Sequence, residues 1–118
     1  MNYKDLKIPK LMNELVKRNG SDLHITADSI PFFRIQGQIL PVDDETFSSE
    51  DLVSELSYLL EDKRIEKLWK NKELDLSYSL ENIARFRINL FLFFPSFFAI
   101  ITLIYFYCKI PSTTDSII

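Results

Sequence analysis

Hydrophobic and polar residues follow two different periods along the first ninety residues. Apolar residues three and four positions apart predict a helix over roughly residues 8–19, a second behind Ser48 and a third behind Asp62. Ser48 and Asp51 approximate a capping box in front of the second helix, and Asp62 can cap the third. Asn19 and Gly20 are residue types that adopt the left-handed conformation in which helices end. The apolar stripes are Leu11, Met12, Leu15 and Val16, then Leu52, Val53, Leu56, Leu59 and Leu60, then Ile65, Leu68 and Trp69.

Alternation with period two predicts the strands. One strand covers residues 22–26, a hairpin covers 31–41 with its turn at Gly37, and a second hairpin turns at Glu81 and Asn82. The order of helix, strand, hairpin, two helices and hairpin predicts an α+β fold. We expect a mostly antiparallel sheet packed by about three helices.

The segment from Leu90 to Cys108 has 19 residues without a charge, and two interpretations of it stay open. It is long enough for a membrane-spanning helix. However, Pro95 and Ser96 divide it, and its aromatic and β-branched residues favour strands. The second interpretation is therefore a buried final strand that follows a turn at Pro95 and Ser96.

Composition narrows the class of protein. The length of 118 residues suits one domain, and 47% hydrophobic and 26% charged residues are ordinary globular usage. A net charge of -3 gives no basic field for a nucleic acid. Cys108 is the single cysteine, which excludes an intrachain disulfide and suits a reducing, cytoplasmic setting. Residues 1–10 contain no apolar run typical of a signal peptide.

Few residues are candidates for catalysis or for binding a metal ion or an anion. Asp22 and His24 share one face of the first strand, but one histidine and one carboxylate make neither a metal site nor an acid–base pair. Arg85 and Arg87 lie on the outer face of the last hairpin, where a guanidinium suits bidentate contacts with phosphate or carboxylate. Solvated strand positions are the plainer interpretation of both arginines. We predict no catalytic residue, no metal site and no cofactor bound by this chain.

A phosphate-binding loop is excluded by the glycine count. The motif Gly-x-x-x-x-Gly-Lys-Ser/Thr needs two glycines five positions apart, and the chain has only Gly20 and Gly37. The chain alone is therefore expected not to hydrolyse ATP.

Four blocks of sequence follow one another in a recognisable order. They are Gly20-Ser21-Asp22-Leu23-His24-Ile25; Pro31, Arg34, Gly37 and Leu40; residues 73–80; and residues 84–91. In their order and spacing these blocks resemble the N-terminal domain of the PilT-type twitching-motility ATPases, and residues 109–112 give a fainter match to the interdomain linker of that family. The strand over residues 73–80 is typical of the retraction branch. From Leu92 to Tyr107 the chain departs from the family by being apolar, which suggests the hypothesis of a degenerate or frame-shifted tail.

The resemblance implies a PAS-like domain over residues 1–94, followed over residues 95–118 by an apolar last strand and a linker remnant. It implies a non-catalytic assembly or regulatory domain of a hexameric pilus-retraction ATPase, cytoplasmic and peripheral to the inner membrane. The missing motor domain would bind ATP and Mg²⁺. Expected partners are neighbouring motor domains and, indirectly, the platform protein of the inner membrane.

In that setting Arg85 and Arg87 would face a nucleotide or a neighbouring subunit, and Asp22, His24 and Arg34 would lie at an interdomain interface. The alternative is a small membrane-anchored sensor or adaptor with a transmembrane segment near residues 90–108, in which the apolar tail contacts the membrane. A free-standing small-molecule binder is suggested only by the habit of PAS-like folds.

Overall fold

A computed structural model of the protein describes residues 6–42, 46–60, 62–93 and 96–106. These described residues form three helices and six strands, and the predicted α+β class is confirmed. The elements are α1 (Lys7–Lys17), β1 (Asp22–Thr26), β2 (Phe32–Ile35), β3 (Gln38–Pro41), α2 (Ser49–Leu59), α3 (Asp62–Asn71), β4 (Glu73–Leu80), β5 (Ala84–Phe93) and β6 (Ser96–Phe106).

The six strands form one sheet in the order β3-β2-β1-β6-β5-β4, and every neighbouring pair is antiparallel. The last strand therefore lies at the centre. Its Thr102 stands opposite Asp22 of β1 and Arg87 of β5. β6 joins the two predicted hairpins into one sheet through contacts between residues distant in the chain.

The hydrophobic core lies between one face of the sheet and the three helices. The apolar side chains of this face alternate with outward-facing residues, as strand geometry requires. The helices are held on this face by the burial of apolar surface, which contributes a free energy of about 25 cal/mol per Å². The fully buried large side chains include Phe33, Leu23, Ile25, Phe86 and Ile88 from the sheet and Ile8, Met12, Leu15, Leu52, Leu56 and Leu68 from the helices.

Asn19 and Gly20, which follow α1, have different structural roles. Asn19 has a φ of 59°, the left-handed conformation predicted for it. Gly20 does not have a positive φ, which differs from the expectation for this residue. A Cβ there would collide with the Leu15 side chain and lie 3.2 Å from the backbone oxygen of Arg34. Gly20 is therefore needed for close packing of α1 against β2.

The predicted capping box of α2 is confirmed. The backbone N–H of Asp51 donates to Ser48 Oγ at 3.0 Å, and the N–H of Ser48 donates to Asp51 Oδ2 at 3.4 Å. α3 begins at Asp62, as predicted, although the capping role of the Asp62 side chain lies outside the described side chains. The prediction that Trp69 belongs to the buried stripe is wrong. Its side chain is 41% exposed, because it lies at the border between α2 and α3, and Leu68 enters the core instead.

The apolar tail forms strands as far as it is described. Residues 90–93 complete β5, and residues 96–106 form β6, so the final strand is confirmed and the membrane-helix interpretation is wrong for these residues. Phe93 pairs with Ser96. The predicted turn residue Pro95 lies outside the described residues, as do Cys108 and the linker-like residues 109–112. Among the described helices, none combines the length and apolarity that crossing a membrane requires.

Candidate functional site

The candidate site is the sheet face that points away from the helices, which we call the open face. All five residues predicted as functional lie on it. Strand register arranges its side chains in rows that cross the sheet. We call one row the polar row, consisting of Ser77, Arg87, Thr102, Asp22 and Arg34, and a neighbouring set the apolar groove, consisting of His24, Phe32, Phe91, Phe93, Phe98 and Ile100.

Asp22 is the centre of the polar row on the β1 side. Its carboxylate accepts a hydrogen bond from Thr102 Oγ1 at 3.1 Å and another from Ser21 Oγ at 2.8 Å. Arg34 Nε lies 3.8 Å from Asp22 Oδ2. The sequence predicted Asp22 and Arg34 separately, and the antiparallel register brings them together. The carboxylate thus carries contacts from three strands or their ends.

Arg87 is already neutralised within the sheet. Its Nε donates to Asp75 Oδ1 at 3.0 Å and its Nη2 to Asp75 Oδ2 at 2.7 Å, a bidentate fork across β4 and β5. These hydrogen bonds lower the pKa of Asp75 and raise that of Arg87. Both side chains are more than half exposed, so water and salt screen the pair.

Arg85 has a different environment although it is two residues away on the same face. Its Nη1 donates to Ser79 Oγ and its Nη2 to Ser77 Oγ, both at 2.7 Å. These hydroxyls fix the plane of the guanidinium, but they are neutral and leave its charge uncompensated. Among the described contacts, Arg85 therefore presents an oriented cation on the open face.

His24 links the polar row to the apolar groove. Its ring stacks on Phe32, with centroids 4.6 Å apart and planes inclined by 19°. Burial lowers the pKa of His24 below 6.5, Asp22 opposes this shift and Arg34 adds to it. The groove beside it has a volume of about 350 Å³. The imidazole is thereby held mainly neutral at pH 7 as part of an apolar surface.

The open face combines charged, hydroxyl and aromatic side chains. It offers one oriented cation, two ion pairs and an aromatic groove, which together suit a protein surface or an anionic group. In the described part of the chain, no three His, Cys, Asp or Glu side chains come close enough to hold a metal ion. Asp22 and His24 stand on the same strand face, as predicted, but the described partners of Asp22 are Ser21, Arg34 and Thr102.

Sequence reasoning missed the residues that hold the arginines. From the sequence alone, Asp75, Ser77 and Ser79 are only the polar positions of the alternating strand over residues 73–80. The signal was available, because the turn at Glu81 and Asn82 sets the register that places these side chains beside the arginines. Thr102 had no such signal, since its partner Asp22 lies 80 residues away.

Comparison with known proteins places this geometry in context. No family model matches the chain. The type IV pilus ATPase PilU of Pseudomonas aeruginosa is 28% identical over 86 residues, and the type IV pilus retraction ATPase PilT of the same organism is 26% identical over 86 residues. A crystal structure of the pilus retraction motor PilT with bound ADP matches with a TM-score of 0.73 and 30% identity.

These matches cover most of this chain but less than a third of each matched protein. The aligned segments include 73% of this chain but 22% of PilU and 25% of PilT, and the structural match includes 83% of this chain and 29% of the PilT chain. The chain thus spans about a quarter of the length of the curated relatives it matches.

Proposed function

Because the chain is, by sequence and fold, an N-terminal domain of the PilT-type secretion ATPases, we propose that it is a non-catalytic assembly domain of a pilus-retraction motor. In this role it packs against the motor domain of a neighbouring subunit in a hexamer. The motor domain, rather than this domain, binds ATP and Mg²⁺. The domain works in the cytoplasm at the inner membrane, where the motor reaches the platform protein of the pilus.

The observation that carries the proposal is the state of Arg85. A guanidinium held in one plane by two hydroxyls loses little conformational freedom when it meets a phosphate or carboxylate. Its charge is available, whereas that of Arg87 is engaged with Asp75. We therefore assign Arg85 the contact with an anion of the neighbouring subunit, and Arg87 the support of the face on which it lies.

The other predicted interface residues lie on the same open face. Asp22 and Arg34 form a pair on the β1 side, and His24 covers the start of the groove. Together they present a face of mixed character, which is typical of contacts between domains that move relative to each other. Nucleotide binding in the motor would then change the contact by a hinge-type motion.

A chimera tests this proposal. The segment of PilU that aligns with this chain would be replaced by this chain, and the mass of the assembly and its ATP turnover would be measured. We expect a hexamer that hydrolyses ATP, and we expect Arg85→Glu to reduce turnover by about tenfold or more, as for a charged contact placed opposite a like charge.

The matched control is Lys17→Glu, an exposed charge reversal on α1 at the helix side of the domain. It should leave mass and turnover unchanged. A chimera in which Arg85→Glu behaves like Lys17→Glu would refute the role assigned to Arg85, and a chimera that never assembles would refute the assembly role itself.

A further inference from the structure

The two serines that hold Arg85 are hydrogen-bond donors as well as acceptors. In their bonds with Arg85, Ser79 Oγ and Ser77 Oγ both accept, each at 2.7 Å. A hydroxyl has one proton of its own, and this proton cannot point at a group that donates to the same oxygen. Both serines are exposed on the open face. Two O–H donors are therefore directed away from the guanidinium and towards solvent.

The guanidinium of Arg85 adds further donors at the same place. It carries five N–H groups, of which the two serines take two. Ser77 and Ser79 are two positions apart on one strand, so their side chains stand about 7 Å apart. The guanidinium reaches both hydroxyls and lies between them. We call Arg85, Ser77 and Ser79 the donor cluster, since its remaining N–H groups and its two hydroxyl protons lie within the reach of one small ligand.

The charge around the donor cluster favours an anion. The neighbouring acid on this face of β4 is Asp75, and both of its carboxylate oxygens accept from Arg87, at 3.0 and 2.7 Å. This pair compensates its own charges. Neither of the ion pairs in the described part of the chain includes Arg85. The positive charge of Arg85 therefore dominates the donor cluster.

We propose that the donor cluster binds a phosphoryl group in preference to a carboxylate. A carboxylate has two oxygens in one plane, and the guanidinium fork satisfies them alone. A phosphoryl group has three terminal oxygens that accept strong hydrogen bonds, so it can engage the fork and the hydroxyls together. The inference rests on the proposed function, because it specifies the chemistry of the anion that Arg85 meets.

The phosphoryl group has two possible sources, a nucleotide held by the neighbouring subunit and free phosphate. Both present the same terminal oxygens to the donor cluster. The chain has no glycine-rich loop to surround a phosphate, because its two glycines are too far apart for that motif. The donor cluster is also open to water, which screens its charge. We therefore expect a Kd for inorganic phosphate on the order of 1 mM.

An NMR titration of the 118-residue chain tests the preference. Inorganic phosphate and acetate would be added separately at pH 7.5 and constant ionic strength. We expect phosphate to bind about tenfold more tightly than acetate, and to shift the backbone amide signals of Ser77, Ser79 and Arg85 most. ADP is the third probe. Shifts of the same amides by ADP would assign the site to a nucleotide, and binding of phosphate without binding of ADP would assign it to free phosphate.

Serine variants separate donation to the ligand from positioning of the arginine. Ser77→Ala combined with Ser79→Ala should raise the Kd for phosphate about tenfold and leave that for acetate within about twofold, because the guanidinium remains. Ser77→Thr combined with Ser79→Thr keeps both hydroxyls and should restore phosphate binding. The matched control is Ser54→Ala combined with Ser57→Ala, two exposed serines of α2, which should change neither Kd. Far-UV circular dichroism verifies that each variant is folded.

Three outcomes would overturn the proposal. One is acetate binding as tightly as phosphate. Another is an equal loss of both anions in the double alanine variant, which would show that the serines only position Arg85. The third is a double threonine variant that does not recover phosphate binding. These outcomes leave the contact of Arg85 with a carboxylate of the neighbouring subunit intact. Conversely, a PilU chimera that does not assemble leaves the phosphate titration unaffected.

Discussion

At the scale of single residues, the open face shows how neighbours decide what a side chain can do. Arg85 and Arg87 have the same chemistry, strand and direction. Arg87 forms a bidentate pair with Asp75, whereas Arg85 is held by the hydroxyls of Ser77 and Ser79. The first is a structural ion pair, and the second is an oriented and available cation. The difference comes from one position on β4, where a carboxylate replaces a hydroxyl.

The pKa of His24 reports the electrostatic environment of the open face. It is the only histidine of the chain, so its NMR titration needs no assignment among histidines. We expect a pKa below 6.5. Asp22→Asn should lower it further, because the carboxylate stabilises the protonated ring, and Arg34→Gln should raise it, because a nearby cation is removed. A pKa above 6.5 in the wild type would contradict the described environment.

The same shift predicts how stability depends on pH. Because the folded state has the lower pKa, the unfolded state binds more protons between the folded pKa and about 6.5. The free energy of unfolding should therefore decrease as the pH falls through this window. Urea unfolding at about pH 7.5 and about pH 5.5 measures the decrease. His24→Gln should make it smaller, and an unchanged decrease would assign it to other groups.

The two glycines predict different effects of the same substitution. Gly20→Ala should lower the free energy of unfolding by about 1–3 kcal/mol, since its Cβ would press on Leu15 between α1 and β2. Gly37→Ala should lower it by about 1 kcal/mol, since its φ is 80° but the space around it is open. Chemical denaturation compares the two. A larger effect at Gly37 would refute the packing role of Gly20.

At the scale of elements, α1 is fixed by a carboxylate from another helix. Its N-terminus begins after Leu6, which has no capping side chain. Instead Glu55 of α2, only 8% exposed, accepts hydrogen bonds from the backbone N–H of Lys7 at 2.9 Å and of Ile8 at 2.8 Å. A carboxylate at a helix N-terminus satisfies free donors and complements the helix dipole. This contact couples the packing of α1 to that of α2.

Removal of this carboxylate should therefore destabilise the domain. We expect Glu55→Ala to lower the free energy of unfolding by about 2 kcal/mol, since the buried N–H of Ile8 and the partly buried N–H of Lys7 lose their acceptor. Glu50→Ala, an exposed change on the same helix, should have an effect within about 0.5 kcal/mol. Urea denaturation of both variants measures this. Equal effects would show that Glu55 does not anchor α1.

Most elements could be predicted from the sequence because their signals are local. Ser48 and Asp51 set the start of α2, and the turn before Ala84 sets the register of β4 and β5. The place of β6 could not be predicted this way. An apolar run is compatible with both a central strand and a membrane helix. In addition, the pairing of β6 with β1 joins residues as distant in the chain as Asp22 and Thr102.

The site was predicted in part for the same physical reason. Strand alternation put Arg85 and Arg87 on one face, and the hairpin register could have supplied their partners. The apolar groove depends on β6 and therefore on the long-range pairing. The exposure of Trp69 also depends on tertiary packing, because helix periodicity gives the direction of a side chain and not what covers it.

At the scale of the whole molecule, the domain is a sheet with one covered and one open face. The helices cover one face and bury its apolar side chains, and they leave the open face uncovered. PilT-type relatives are about four times as long as the aligned segment, so most of each relative lies outside the match. We propose that the open face is where this domain and the rest of such a motor meet, with Arg85 at the point of contact.

The most direct test is a calorimetric titration of the 118-residue chain into the motor domain of PilT prepared without its N-terminal domain. The account predicts saturable binding that Arg85→Glu weakens by about tenfold or more, with no effect of Lys17→Glu. It is contradicted if the motor domain does not bind this chain at all, or if both charge reversals bind as the wild type does.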